Sequence, residues 1–264
     1  MAAGLPKTCQ QFGATFIPPF QGWKRGILVS ALVRSLSWKR GFRYVFCFIS
    51  LMSLCSFAVR QQLNPSATRY LATSKIANRT HSGVNIVCLG DSLTQGVGAS
   101  RGHDYPSLLS RMVGTTVINA GVDGDETADA LKRLESDVLA KDPRVVVVEL
   151  GANDFFDGQP LEQAFENLEQ IVRQIEERGA MVVLVGVAPG PLGDALQPRY
   201  DTIIHKYHIA FVPKVLEEIL TNPSLKDSDH LHPNDQGYEL IAERIQRVVA
   251  PLLHRSGELG KPPQ

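Results

Sequence analysis

From Gly83 onward, short unbroken apolar runs alternate with longer stretches whose apolar residues recur every three or four positions. The runs are Val84–Leu89, Thr115–Asn119, Arg144–Leu150, Ala180–Val187 and Ile209–Val212. Arg144–Leu150 reads RVVVVEL, nearly continuous β-branched sequence, as expected of a central parallel strand covered on both faces. Between the runs, Tyr105–Val113, Glu126–Leu139, Leu161–Arg178, Arg199–Tyr207 and Gly237–Leu253 read as helices. In Leu161–Arg178 the residues Phe165, Leu168, Ile171, Val172 and Ile175 form one stripe, and Gly179 is placed to end the helix. Pro106 falls in the first turn of its helix, where a missing N–H costs nothing. Ala188–Pro198, rich in Pro and Gly, reads as a loop. Strands alternating with helices predict an α/β domain. Right-handed crossovers would make it a three-layer α/β/α sandwich around a parallel five-stranded sheet of flavodoxin-like order.

The first part of the chain has a different pattern. Lys24, Arg25, Arg34, Lys39, Arg40 and Arg43 precede an uncharged apolar segment, Tyr44–Val59, with no acidic residue among them. The segment falls short of the roughly 18–20 residues that span a bilayer comfortably. With Ser56-Phe57-Ala58 at its end it resembles a signal peptide cleaved after Ala58; an uncleaved membrane anchor is the second reading and a buried helix the third. In the first two cases the domain that follows is exported, periplasmic or secreted. Residues 1–59 are thus expected to be a basic region plus signal or anchor segment. Residues 60–82, polar and aperiodic, form a linker, 83–254 the catalytic domain and 255–264 a polar tail.

Composition narrows the function. With 27 Lys+Arg against 27 Asp+Glu the chain has no net charge, so there is no general electrostatic case for nucleic acid. The cysteines Cys9, Cys47, Cys55 and Cys88 form no CxxC or zinc-finger spacing and imply no disulfide framework. Cys88 lies inside the first apolar run and reads as a small core residue.

The chemistry-bearing residues follow the strands. Val84–Leu89 runs into Gly90-Asp91-Ser92-Leu93, which offers a serine at the carboxyl end of a buried strand, where open α/β sheets bind ligands. Asn119-Ala120-Gly121-Val122-Asp123-Gly124-Asp125 follows the second run, Gly151-Ala152-Asn153-Asp154 the third, and Asp227-Ser228-Asp229-His230-Leu231-His232-Pro233-Asn234 precedes the last helix. A serine needs a base, an orienting acid and oxyanion donors before it can act as a nucleophile. Asp229/His232 and Asp227/His230 both have the D-x-x-H spacing on which an acid reaches an imidazole. By spacing alone, His230, His232 and nearby carboxylates also admit a metal cluster.

In these four blocks (G-D-S-L, a glycine loop, G-x-N-D and D-x-x-H-P) the chain resembles the SGNH or GDSL-type serine hydrolases over about 84–253. N-A-x-x-x-G-D, V-E-L-G-x-N-D and D-x-x-H-P-N are most similar to the bacterial exported esterases with thioesterase, arylesterase and lysophospholipase activities. The resemblance implies the SGNH hydrolase fold and an acyl-enzyme mechanism on acyl esters or thioesters. Ser92 would be the nucleophile, His232 the base and Asp229 the orienting acid. The oxyanion donors would be the backbone N–H groups of Ser92 and Gly124 and the side-chain amide of Asn153, with Gly121 as second candidate for the glycine. Asp91 would shape the turn and Asp154 support it. Ala188, Pro189 and Leu192 are expected to line the acyl pocket. No cofactor or metal is expected. The expected partner is a small-molecule or lipid acyl ester acted on by a monomer, with attachment to a membrane through the N-terminal segment as an option. The alternative function is a carbohydrate O-deacetylase of the same fold, and a metal-dependent hydrolase comes after it.

Overall fold

The computed structural model describes residues 76–79, 83–188 and 190–253. Five strands form one parallel sheet: β1 (Asn85–Gly90), β2 (Val117–Gly121), β3 (Pro143–Glu149), β4 (Met181–Val185) and β5 (Ala210–Val212), in the order β2-β1-β3-β4-β5. The helices are α1 (Ser92–Gln95), α2 (Tyr105–Val113), α3 (Thr127–Asp137), α4 (Ala152–Phe156), α5 (Leu161–Glu177), α6 (Gly190–Tyr207) and α7 (Asp235–Leu253).

Strand alternation sorts the sheet's side chains into two cores. Ile86, Cys88, Val145, Val147 and Val183 pack with α2 and α7, through Leu109, Tyr238, Ile241 and Ile245. Val87, Leu89, Val146, Val148 and Leu184 pack with α3, α5 and α6, through Leu134, Leu168, Ile171 and Tyr200. The result is the expected α/β/α sandwich with a flavodoxin-like sheet. The V-V-V-V run of β3 is apolar throughout because both its faces are covered.

The order reverses between β1 and β3, which makes a crevice at their carboxyl ends. There the register is level: Gly90 stands beside Gly121 on one side and Glu149 on the other. Whatever follows these three residues emerges at the same height.

Several boundaries differ from the sequence reading. The second strand begins at Val117 rather than Thr115, so Gly121 closes the strand instead of lying in the loop. The last helix starts two residues early, at Asp235, because the Asn234 side chain accepts from the backbone N–H groups of Gln236 and Gly237. The expected loop over 188–198 is instead helical from Gly190, and the Arg199–Tyr207 helix is its second half. Pro191 falls in the first turn and Pro198 is carried inside, where the burial of Tyr200, Ile203 and Ile204 outweighs the lost N–H. The signal or anchor segment, most of the linker, Pro189 and the polar tail lie outside the described residues. Among the described residues no helix is long and apolar enough to cross a membrane.

Candidate active site

The turn that carries Ser92 is built by close packing. A Cβ on Gly90 would lie 2.0 Å from Thr94 Oγ1 and 2.5 Å from the Glu149 carbonyl oxygen. The glycine is therefore required by how near α1 and β3 approach, not by a sharp turn of its own backbone. Asp91 precedes the short helix α1 and accepts the Leu93 N–H at 3.0 Å. Asp91 thus occupies the capping role, leaving Ser92 as the first helical residue, with its N–H among those a helix start leaves unpaired. The first loop then runs back over the end of the domain. Gly98, at φ +88°, leaves no room for a Cβ, which would lie 2.7 Å from the Pro233 carbonyl oxygen and 3.2 Å from His232 Cβ.

The second half of the site comes from 140 residues further along, on a turn closed at both edges. The Asp227 N–H donates to the His232 carbonyl at 2.9 Å, and Lys226 pairs antiparallel with Pro233. Asn234 Nδ2 ties the turn down by donating to the carbonyls of Ser224 and Lys226. Within it Asp229 Oδ1 accepts the N–H groups of Leu231 and His232, at 2.8 and 2.9 Å. Asp229 Oδ2 faces His232 Nδ1 at 2.6 Å. The His232 hydrogen bond, with the two backbone bonds behind it, holds the Asp229 carboxyl down at about 2. The group is ionised at any working pH and can only accept, so Nδ1 carries the ring proton. Nε2 is then free to accept from Ser92 Oγ–H, 3.0 Å away.

Asp227 and His230 make no such pair. His230 sits at φ +60°, exposed, with its N–H on the Asp227 carbonyl. Both ring nitrogens of His232 are taken by Ser92 and Asp229, and among the described residues no three His, Cys, Asp or Glu side chains gather as a metal site.

Around this pair stand the other expected donors. Asn153, in the first turn of α4, donates to the Asp125 carbonyl at 2.9 Å and reaches Asp91 Oδ2 at 3.5 Å. Gly124 is at φ +80° in an open turn, whereas the Gly121 N–H is already donated to Asn119 Oδ1. The Gly121 N–H is therefore committed to that bond. Asp154 is buried and fastens the loops together, accepting from Thr127 N at 2.9 Å and Thr127 Oγ1 at 2.5 Å. Of the residues expected to line the acyl pocket, Ala188 is half-buried after β4, Leu192 is exposed on the first turn of α6, and Pro189 is not described.

Two contributors were not singled out from sequence. Arg133 of α3 donates to the carbonyls of Gly90 and Ala120 and to Asp125, clamping the ends of β1 and β2 to the glycine loop. Glu149 is 0% exposed and accepts from Thr94 Oγ1 at 2.8 Å. An acid at the end of a β-branched run was its signal, since buried acids are rare without a partner.

Residues 88–240, more than half the chain, match the profile of the GDSL-like Lipase/Acylhydrolase family. The chain belongs to this family. The GDSL hydrolase is 29% identical over 176 residues to the Thioesterase 1/protease 1/lysophospholipase L1 of Escherichia coli (strain K12), covering 64% of this chain and 85% of that one. It is 31% identical over 174 residues to the arylesterase of Vibrio mimicus, with 62% and 87% covered. The crystal structure of TesA superposes with a TM-score of 0.60 at 27% identity, over 64% of this chain and 99% of that one. The GDSL protein has the SGNH hydrolase fold and is an ester-bond hydrolase.

Proposed function

We propose that the GDSL hydrolase cleaves acyl esters or thioesters through an acyl-enzyme on Ser92. His232 Nε2 takes the hydroxyl proton as Oγ attacks the carbonyl carbon, and returns it to the departing alcohol or thiol. A water activated by the same nitrogen then releases the acid and regenerates the serine. Asp229 keeps the imidazole in the tautomer this needs and stabilises it when charged. The tetrahedral oxyanion is received by the N–H groups of Ser92 and Gly124 and by Asn153, whose amide donates at any working pH. The observation that carries the reading is the 3.0 Å contact of Ser92 Oγ with His232 Nε2, backed by Asp229 at 2.6 Å.

An acyl chain suits the surroundings better than an acetylated sugar. Phe155 and Phe156, just after Asn153, are 48% and 67% exposed, and Leu231, beside His232, is 51% exposed. Exposed apolar side chains that adjoin Asn153 and His232 in the chain support an apolar substrate. Ala188 and Leu192 extend that wall in this reading. The deacetylase remains the alternative, and nitrophenyl esters of increasing length separate the two: a deacetylase prefers the shortest. Residues 83–254 act as the catalytic domain, exported behind the basic and apolar N-terminal segment.

The test is labelling by a fluorophosphonate, expected on Ser92 and absent in Ser92→Ala. Ser92→Ala and His232→Ala should each nearly abolish turnover, and the double variant should lose little more than either. Additive losses, or hydrolysis stopped by a chelator without serine labelling, would refute the mechanism.

A further inference from the structure

The buried carboxyl group of Glu149 has no part in the steps above, yet it stands directly behind them. Level with Gly90 at the end of β3, it is wholly inside the protein. Thr94 Oγ1 donates to its Oε2 and is itself 2.8 Å from the Tyr105 hydroxyl, so a chain of hydroxyl groups satisfies that oxygen. Its Oε1 is buried without a donor in bonding geometry. The ionisable groups around it are Asp91, Cys88, Tyr105, Tyr200 and Tyr238, and among the described residues no cation is hydrogen-bonded to it. Asp91 in turn faces Asp125 and His232.

Asp91 follows Gly90, the register neighbour of Glu149, and both acids are buried, so the two carboxyl groups bear on each other's ionisation. Two carboxylates sharing a dry site do not both ionise. Burial first, and the Asp91 charge second, push the Glu149 carboxyl well above its ordinary range, and the Thr94 hydroxyl, with a smaller contribution from the Asp91 backbone, offsets only part of this. Burial raises Asp91 too, but only to about 6, because the Leu93 N–H and the Glu149 side chain oppose the rise, so at neutral pH it is the acid that ionises. The proton of the pair therefore belongs on Glu149, and it gives the buried Oε1 the hydrogen bond it otherwise lacks.

We propose that Glu149 is a positioning residue held as the neutral acid, which donates to Asp91 and so keeps the Ser92 turn and the Asn153 amide in their reacting arrangement. The link runs through named contacts. Asp91 receives the Leu93 N–H with one oxygen, and its other oxygen is the one Asn153 Nδ2 approaches at 3.5 Å. Asp91 can serve as an acceptor for both only while it is ionised, and it stays ionised because its neighbour holds the proton. The inference rests on Ser92 and Asn153 acting as described under the proposed function.

The test compares the full-length wild type with Glu149→Gln, Glu149→Leu and Ser92→Ala on a short-chain nitrophenyl ester. An amide donates to Asp91 and accepts from Thr94 as the neutral acid does, so Glu149→Gln should keep kcat within about threefold and leave the acid limb of kcat/KM in place. Glu149→Leu should lower kcat roughly 10²-fold with KM little changed, the scale of a small misplacement of reacting groups. If Glu149 were ionised, the Gln variant would remove a negative charge near the imidazolium, and the acid limb would move to lower pH. That displacement, a tenfold or larger loss in Glu149→Gln by order of magnitude, or a fully active Glu149→Leu overturns the inference. Should Glu149→Leu not fold, the infrared difference between wild type and Glu149→Gln decides. The carbonyl stretch of a protonated carboxylic acid, present in wild type at neutral pH and lost in the variant, supports the neutral acid, and its absence overturns it. Ser92→Ala separates the two failures. An active Ser92→Ala refutes the serine mechanism, whereas an inert Ser92→Ala beside an active Glu149→Leu refutes only the role of Glu149.

Discussion

Asp229→Asn should damage the enzyme more than Asp229→Ala, although it is the smaller change in shape. The reason lies in how the carboxyl group is held. Its Oδ1 accepts two backbone N–H groups, from Leu231 and His232, at 2.8 and 2.9 Å. An asparagine must keep its carbonyl oxygen at that position, because an NH₂ there would face two donors. Its NH₂ is then forced towards Nδ1 of His232. The ring answers by moving its proton to Nε2, which can no longer accept from Ser92 Oγ–H. The wrong tautomer has been associated with losses of about 10⁴ in kcat. Asp229→Ala removes the acid without imposing a tautomer. The Asp229 side chain is 41% exposed, so water can occupy the vacated place and accept from Nδ1. That loss should be smaller, roughly 10²–10³, in the lower part of the range for general acid–base catalysis. The assay is kcat and kcat/KM on a nitrophenyl ester at neutral pH, with fluorophosphonate labelling rates as an independent measure of serine reactivity. An Asp229→Asn variant as active as Asp229→Ala, or more so, would refute the tautomer reasoning.

Asn153→Ala should lower kcat roughly 10²–10³-fold with a small effect on KM, the scale of losing one oxyanion donor; a change below about threefold, or one confined to KM, contradicts that role. Glu176 is the test of pH linkage: burial raises its carboxyl to about 7. The folded state therefore binds a proton more readily than the unfolded chain, whose glutamate titrates near about 4.3, and stability falls as pH rises between those values. Glu176→Gln should be more stable than wild type at pH 8 by on the order of 1 kcal/mol, after discounting for partial exposure, and should lose this advantage at pH 4. Thermal unfolding at the two pH values measures it, and an advantage independent of pH would contradict the linkage.

Much of this protein is readable along the chain because local patterns there have one cheap three-dimensional solution. The V-V-V-V of β3 cannot sit at a surface, and the stripe Phe165–Ile175 cannot be buried except on one side of a helix. Strand and helix alternation then leaves little freedom of topology. The site was legible for a related reason: each block directly follows a strand or precedes the last helix, so its height on the sheet follows from its place in sequence. The helix over 190–207 was misread because Pro and Gly signal a break locally, whereas what decides is the burial of Tyr200, Ile203 and Ile204 against the sheet.

Tertiary structure alone decided which partners meet. D-x-x-H spacing occurs twice within six residues, and only the fold brings His232 rather than His230 to Ser92. Sequence placed a glutamate at the end of β3, but not its place beside Gly90 and the buried Asp91 that follows, because parallel strands align residues that are far apart in the chain. Hydrophobic periodicity is a property of neighbours in sequence and therefore survives in one dimension. The direction of a single proton, the glycine demanded by an approaching strand and the arginine that clamps two carbonyls are set by distances between remote segments, and these exist only once the chain has folded.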